Sequence, residues 1–424
     1  MNRLILFTLA CALTIAGCSS QEVSFSKATK TEYPPMENHF HDYWSAMACG
    51  MPQFADSFAV DGEKLIFARG LKEIKNGELE KAEAAYESLI NSKNDTIKYN
   101  SQMILNDLYV YRSAWNDCLK LLKAPNESDS AAEERLFFPT FAGAKKEIVE
   151  FSKDVDTLPI IIRQKSIYVP ITINGKKYEF LFDTGADLCV IAENVARECG
   201  VNPLRVHEGS LVASTGKTFT SVSALIDKLE IGNFTVQNHP SVIVEDANMR
   251  FKFLFYTFLK FDGIIGWNAI KNMDAEIDLA RKILILRKPL KRNDVTRNLF
   301  WLSYPIVQVK DVNGYDFIFG FDTGAYESHV TDIFLQKIDP GELEDDSETY
   351  YGIGGKATRD VKVIPSIDLL LSGYKINFKG LNTGDQAGNQ FLNLDGVFGI
   401  NICEKGKFRI DAINGVFEME KQGE

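Results

Sequence analysis

The chain has 424 residues, room for two or three domains, and its 45% hydrophobic and 25% charged content is that of a soluble globular protein. A net charge of −11 works against nucleic acid and, without an anchor, against anionic membrane surfaces; no basic stripe offsets it. Seven cysteines at scattered spacings match neither a zinc motif nor a dense disulfide framework, so no metal and no cofactor is expected.

At the N-terminus Arg3 is a short basic start, and Leu4 to Ile15 is an apolar run too short to cross a bilayer comfortably. It ends in Ile15-Ala16-Gly17-Cys18, small residues ahead of a cysteine. This resembles a bacterial lipoprotein signal, residues 1–18, with Cys18 as the lipidated position. The resemblance implies a bacterial cell-envelope protein held to the membrane by a lipid anchor, each buried methylene adding about 0.8 kcal/mol. Ser19 rather than Asp after the cysteine resembles outer-membrane sorting, facing the periplasm or the surface. Residues 19–57 are polar, carry Pro34-Pro35 and lack a clear period, so they read as a tether. His39 and His41 form an isolated pair there, and the expectation is solvation, not metal binding.

Residues 58–150 read as helical. Leu65, Ala68, Leu71 and Ile74 lie at helical spacing, and Asn76-Gly77 ends that stripe. Leu79, Ala82, Tyr86 and Leu89 form the next, Ile97 to Tyr109 a third, and Trp115 to Leu122 a fourth. The stretch Gly77 to Tyr86 resembles the middle of a tetratricopeptide repeat (TPR), which implies a surface able to dock a protein partner. A plain helical packing region is the alternative.

Strand texture begins near Leu158 and defines a unit over 151–290. Tyr168 to Ile173, an Asn174-Gly175 turn and Tyr178 to Phe182 read as a hairpin that delivers Asp183-Thr184-Gly185-Ala186. Cys189 lies six positions past Asp183; a small, partly buried role is expected, since no partnered histidine for a nucleophile is evident nearby. Asp262-Gly263-Ile264-Ile265-Gly266 follows, then Ile277-Asp278 and a closing strand from Ile283.

The unit over 291–424 repeats this order. Tyr304 to Val309, Asn313-Gly314 and Tyr315 to Phe321 lead into Asp322-Thr323-Gly324-Ala325. Asp395-Gly396-Val397-Phe398-Gly399 follows, then Ile410-Asp411 and a strand from Val416. The turn words stand 139 positions apart (183 to 322) and the Asp-Gly words 133 apart (262 to 395), so the second unit is shorter in its loop-bearing middle. The acidic run Glu342 to Glu348 reads as a solvated loop.

These paired motifs resemble the pepsin-like and retropepsin-like aspartic proteases, over roughly 158–420. The resemblance implies a mainly β protein: two tandem retropepsin-like β-barrel lobes forming a pseudo-twofold pair, preceded by the α-helical, TPR-like region. It implies a catalytic pair Asp183 and Asp322, with Thr184 and Thr323 bonding across the lobes and Gly185 and Gly324 allowing a tight turn and close backbone approach. Tyr351-Gly352-Ile353-Gly354-Gly355-Lys356 resembles a flap tip, and Gly216 marks a weaker counterpart in the first unit.

Two carboxyls about 3 Å apart share one proton, and such a pair can activate water to attack a peptide carbonyl. The implied activity is aspartic endopeptidase on peptide or protein substrates, in a monomer whose active site is pseudo-dimeric. A catalytically silent peptide-binding lipoprotein with the same lobes is the competing reading. Ala186 and Ala325 have no hydroxyl to donate to the carboxylates, so activity is expected at weakly acidic to neutral pH.

Overall fold

A computed structural model describes residues 8–9, 21–29, 39–122, 138–213, 218–253, 256–352, 355–384, 391–404 and 406–421. Cys18, Gly216 and Gly354 lie outside these residues.

The helical stripes form helices at Gly62–Asn76, Leu79–Glu87, Asp95–Tyr111 and Trp115–Leu122. The first starts on Asp61, whose carboxylate accepts the Lys64 N–H at 2.7 Å, and stops at Gly77 in the left-handed region at φ 74°. Its apolar face buries Phe67, Ala68, Leu71 and Ile74. Tyr86 from the next helix fills the space over Gly70, where an added Cβ would meet its ring at 2.6 Å.

Two six-strand barrels follow in tandem, built on one plan. In the first, the ring runs through Thr218–Ile231, Phe234–Val244, Cys189–Ala192, Gly263–Ile265, Lys176–Phe182 and Ser166–Ile173. It closes where Leu229 pairs with Ile173. In the second, Gly355–Leu371, Tyr374–Thr383, His329–Val330, Gly396–Phe398, Asp316–Phe321 and Pro305–Asp311 close where Lys310 pairs with Leu370. In each barrel the short strand of the Asp-Gly motif lies parallel to the strand that carries the turn word.

A five-stranded sheet joins the lobes, with Asp274–Asp278 of the first antiparallel to Gly406–Asp411 of the second. Arg409 bridges them by a bidentate pair to Asp274, at 2.7 and 2.8 Å. The matched Asp278 and Asp411 each accept a backbone N–H three residues on, from Arg281 and Asn414. Their repetition in the sequence thus marks the same turn in both units.

The described residues of the stretch read as a polar tether, 21–29 and 39–57, are part of the fold. Glu22–Lys27 is a strand paired with Tyr374–Thr383 of the second barrel, and Phe25 is buried. Tyr43–Ala48 and Pro52–Ala55 are short helices that bury Tyr43, Ala46 and Met47. Glu22–Lys27 stands to the second barrel as Ile148–Phe151, paired with Phe234–Gln237, stands to the first. The chain therefore enters the second lobe, leaves for the helical region, and only then builds the first.

The acidic run is also not a loop. Glu344–Gly352 pairs antiparallel with Gly355–Leu371, which sets Asp345 opposite Lys362 and Glu348 opposite Arg359. The ion pairs Lys362–Asp345 and Arg359–Glu348 offset the like charges along the strand. Gly352 and Gly355 pair across the end of this hairpin. In the first lobe the equivalent hairpin joins Pro203–Ala213 to Thr218–Ile231.

Candidate active site

The two turn words meet at the lobe junction. Each follows a buried strand, and each Asp N–H is held by the Asp-Gly motif of its own lobe: Asp183 N to Ile265 O at 3.0 Å, Asp322 N to Phe398 O at 2.9 Å. Thr184 N–H donates to Thr323 Oγ1 and Thr323 N–H to Thr184 Oγ1, both at 3.0 Å. The same hydroxyls donate onward, Thr184 to Phe321 O at 2.6 Å and Thr323 to Phe182 O at 2.7 Å. The N–H and hydroxyl of each threonine thus have partners in the other lobe.

The glycines are required by proximity. A Cβ built on Gly185 would lie 2.6 Å from Asp322 Cγ, and one on Gly324 would lie 2.6 Å from Asp183 Cγ. Each glycine leaves room for the carboxyl of the opposite lobe.

The carboxyls are 0% and 2% exposed and differ in their partners. Asp183 Oδ1 accepts Gly185 N–H at 2.9 Å, while its Oδ2 meets no donor among the described residues. Asp322 Oδ1 accepts Gly324 N–H at 2.8 Å and Ala325 N–H at 3.2 Å, and its carboxyl also bonds the Tyr304 hydroxyl. Burial, then the neighbouring Asp322, pushes Asp183 well above the ordinary carboxyl range. Burial also raises Asp322, but bonds from Asp183, Gly324, Tyr304 and Ala325 oppose it. The two carboxyls therefore titrate as a pair that holds one proton between them.

Residues 169–269 match a family model described as aspartyl protease. That match and the two six-strand barrels fit a retropepsin-like fold. The family supports a peptidase hydrolase. No curated protein matches the chain.

Four residues near this centre carry no signal in the sequence. Tyr304 is buried and stands at the start of the second hairpin. Its neighbour Ser303 bonds Asp107 from the helix Asp95–Tyr111, which docks the helical region beside the dyad. Burial pushes Asp107 up to about 7, and burial with the Asp107 charge pushes Asp187, four residues past Asp183, well above the ordinary range. Nothing in a single sequence brings position 107 to position 303.

Cys189 is fully buried, and it does have a histidine: His239 Nε2 lies 3.2 Å from its Sγ. The two are 50 residues apart and meet only through strand register, Cys189 opposite Ser241, so nothing in the sequence joins them. His39, of the isolated pair His39 and His41, has its ring 5.4 Å from that of Tyr315.

Proposed function

We propose that the protein is an aspartic endopeptidase that hydrolyses peptide bonds with a water held between Asp183 and Asp322. The observation that carries this reading is the mutual Thr184–Thr323 bonding, which sets two buried carboxyls face to face with Asp183 Oδ2 free of protein donors.

Asp322, better supplied with donors, acts as the base and takes a proton from the water as its oxygen attacks the substrate carbonyl. Asp183 donates its proton toward the carbonyl oxygen. As the tetrahedral species collapses, the proton gained by Asp322 passes to the leaving amine, and Asp183 recovers its own from the forming carbonyl. The reaction needs the surrounding chain to move, since neither carboxyl is open to solvent. The hairpins that pair Glu344–Gly352 with Gly355–Leu371 and Pro203–Ala213 with Thr218–Ile231 are the proposed flaps.

If Cys18 carries the lipid anchor, only three residues separate it from the strand Glu22–Lys27, a reach of about 14 Å. The second lobe would then sit close to the bilayer. Cleavage of a peptide library by wild type but by neither Asp183→Asn nor Asp322→Asn is the test of the reading.

A further inference from the structure

The buried chain Cys189–His239–Glu147 lies outside the proposed peptidase machinery. His239 Nε2 is 3.2 Å from Cys189 Sγ, and its Nδ1 meets Glu147 Oε1. Gly266 N–H donates to the same sulfur at 3.4 Å. Burial disfavours a charged imidazole, but Cys189 and Glu147 outweigh it and push His239 up to about 10. Burial would raise Glu147 too, yet His239, Lys271 and Ser113 bring it below the ordinary range.

The barrel itself does not demand this arrangement. In the second lobe Ser328 stands at the matching position, accepting Gly399 N–H at 3.1 Å and donating to Asn401 at 2.7 Å. A hydroxyl satisfies the fold there, so the thiol, imidazole and carboxylate of the first lobe are an addition to it. Among the other described cysteines, burial raises Cys49, Cys118, Cys199 and Cys403, which disfavours their thiolates.

We infer that Cys189 is a peroxide-sensing modification site, oxidised to a sulfenic acid with His239 relaying the proton. His239 takes the thiol proton, the sulfur attacks one oxygen of the peroxide, the S–O bond forms and the O–O bond breaks. The leaving hydroxide takes the proton back from His239 as water, so the sulfur loses two electrons and the peroxide gains them. With Cys189 and His239 both 0% exposed, the site admits an oxidant of water size through local opening and excludes bulky thiol reagents.

The added oxygen must be accommodated beside Gly266. A Cβ on Gly266 would meet the Leu188 carbonyl carbon at 2.5 Å, so the backbone has no slack. The preceding Ile265 holds the Asp183 N–H at 3.0 Å, so oxidation loosens the turn that carries Asp183.

The test treats the full chain with hydrogen peroxide, unfolds it in dimedone and maps adducts by mass spectrometry, with no reliance on peptidase activity. We expect labelling at Cys189 about tenfold faster than at Cys49, Cys118, Cys199 or Cys403, and about tenfold slower in His239→Gln. Native protein should leave Cys189 unreacted with 5,5′-dithiobis(2-nitrobenzoate), and oxidised protein should melt at a lower temperature. Labelling of Cys189 no faster than the other four, or an unchanged rate in His239→Gln, overturns the inference. Should that variant not fold, the ranking among the five cysteines of the wild type decides.

Discussion

Thr184 and Thr323 exchange backbone-to-hydroxyl hydrogen bonds at 3.0 Å in both directions, and each hydroxyl then donates to the carbonyl of the residue preceding the other lobe's Asp. The lobes are thereby registered at the point where their carboxyls meet. Thr184→Val or Thr323→Val keeps the shape, removes a donor and strands an N–H and a carbonyl. Each should cost about 1–3 kcal/mol in denaturant unfolding, while the Ser variants retain most of it.

Gly185→Ala drives a methyl into Asp322, and Gly324→Ala drives one into Asp183, at 2.6 Å from Cγ in each case. The carboxyls must separate. Peptide turnover should fall about a hundredfold or more in either variant, measured as kcat/KM on one peptide.

Tyr304 distinguishes the two carboxyls. Its hydroxyl bonds Asp322 and favours the charged form there. In Tyr304→Phe, Asp322 should hold its proton to higher pH, moving the acid limb of the pH–rate profile up by about one unit. A merely structural role would lower the rate at every pH and leave the limb in place.

Both carboxyls are raised by burial, so their folded values exceed the unfolded ones. Over that interval the folded state binds more protons, and stability falls as pH rises from the ordinary carboxyl value of about 4 upward. Asp183→Asn removes one of the two raised carboxyls. It should unfold about 1–3 kcal/mol harder than wild type near pH 8, with the gap closing below about pH 4, as read from urea midpoints at each pH.

Much of this was legible in the chain. The repeated Asp-Thr-Gly-Ala and Asp-Gly words marked both barrels because each copy needs the same buried strand and turn, and the apolar stripes from Leu65 to Leu122 marked the helices. Glu22–Lys27 was missed although Val23 and Phe25 alternate with polar residues. Six residues at a sheet edge give a weak pattern, and their partner strand lies some 350 positions away. Tyr304, Asp107 and His239 escaped for a related reason. Each matters through a neighbour brought by tertiary packing or strand register, which periodicity does not encode. Of the two roles expected of Gly185 and Gly324, turn freedom and close approach, the structure requires the approach to the opposite carboxyl.

The central claim is that Asp183 and Asp322 form one catalytic unit. It is tested most directly by cleavage of a mixed peptide library with wild type, Asp183→Asn and Asp322→Asn, each first shown to be folded by its unfolding transition. Wild type should cleave, and each variant should lose about a thousandfold or more. Turnover that survives both substitutions would contradict the dyad.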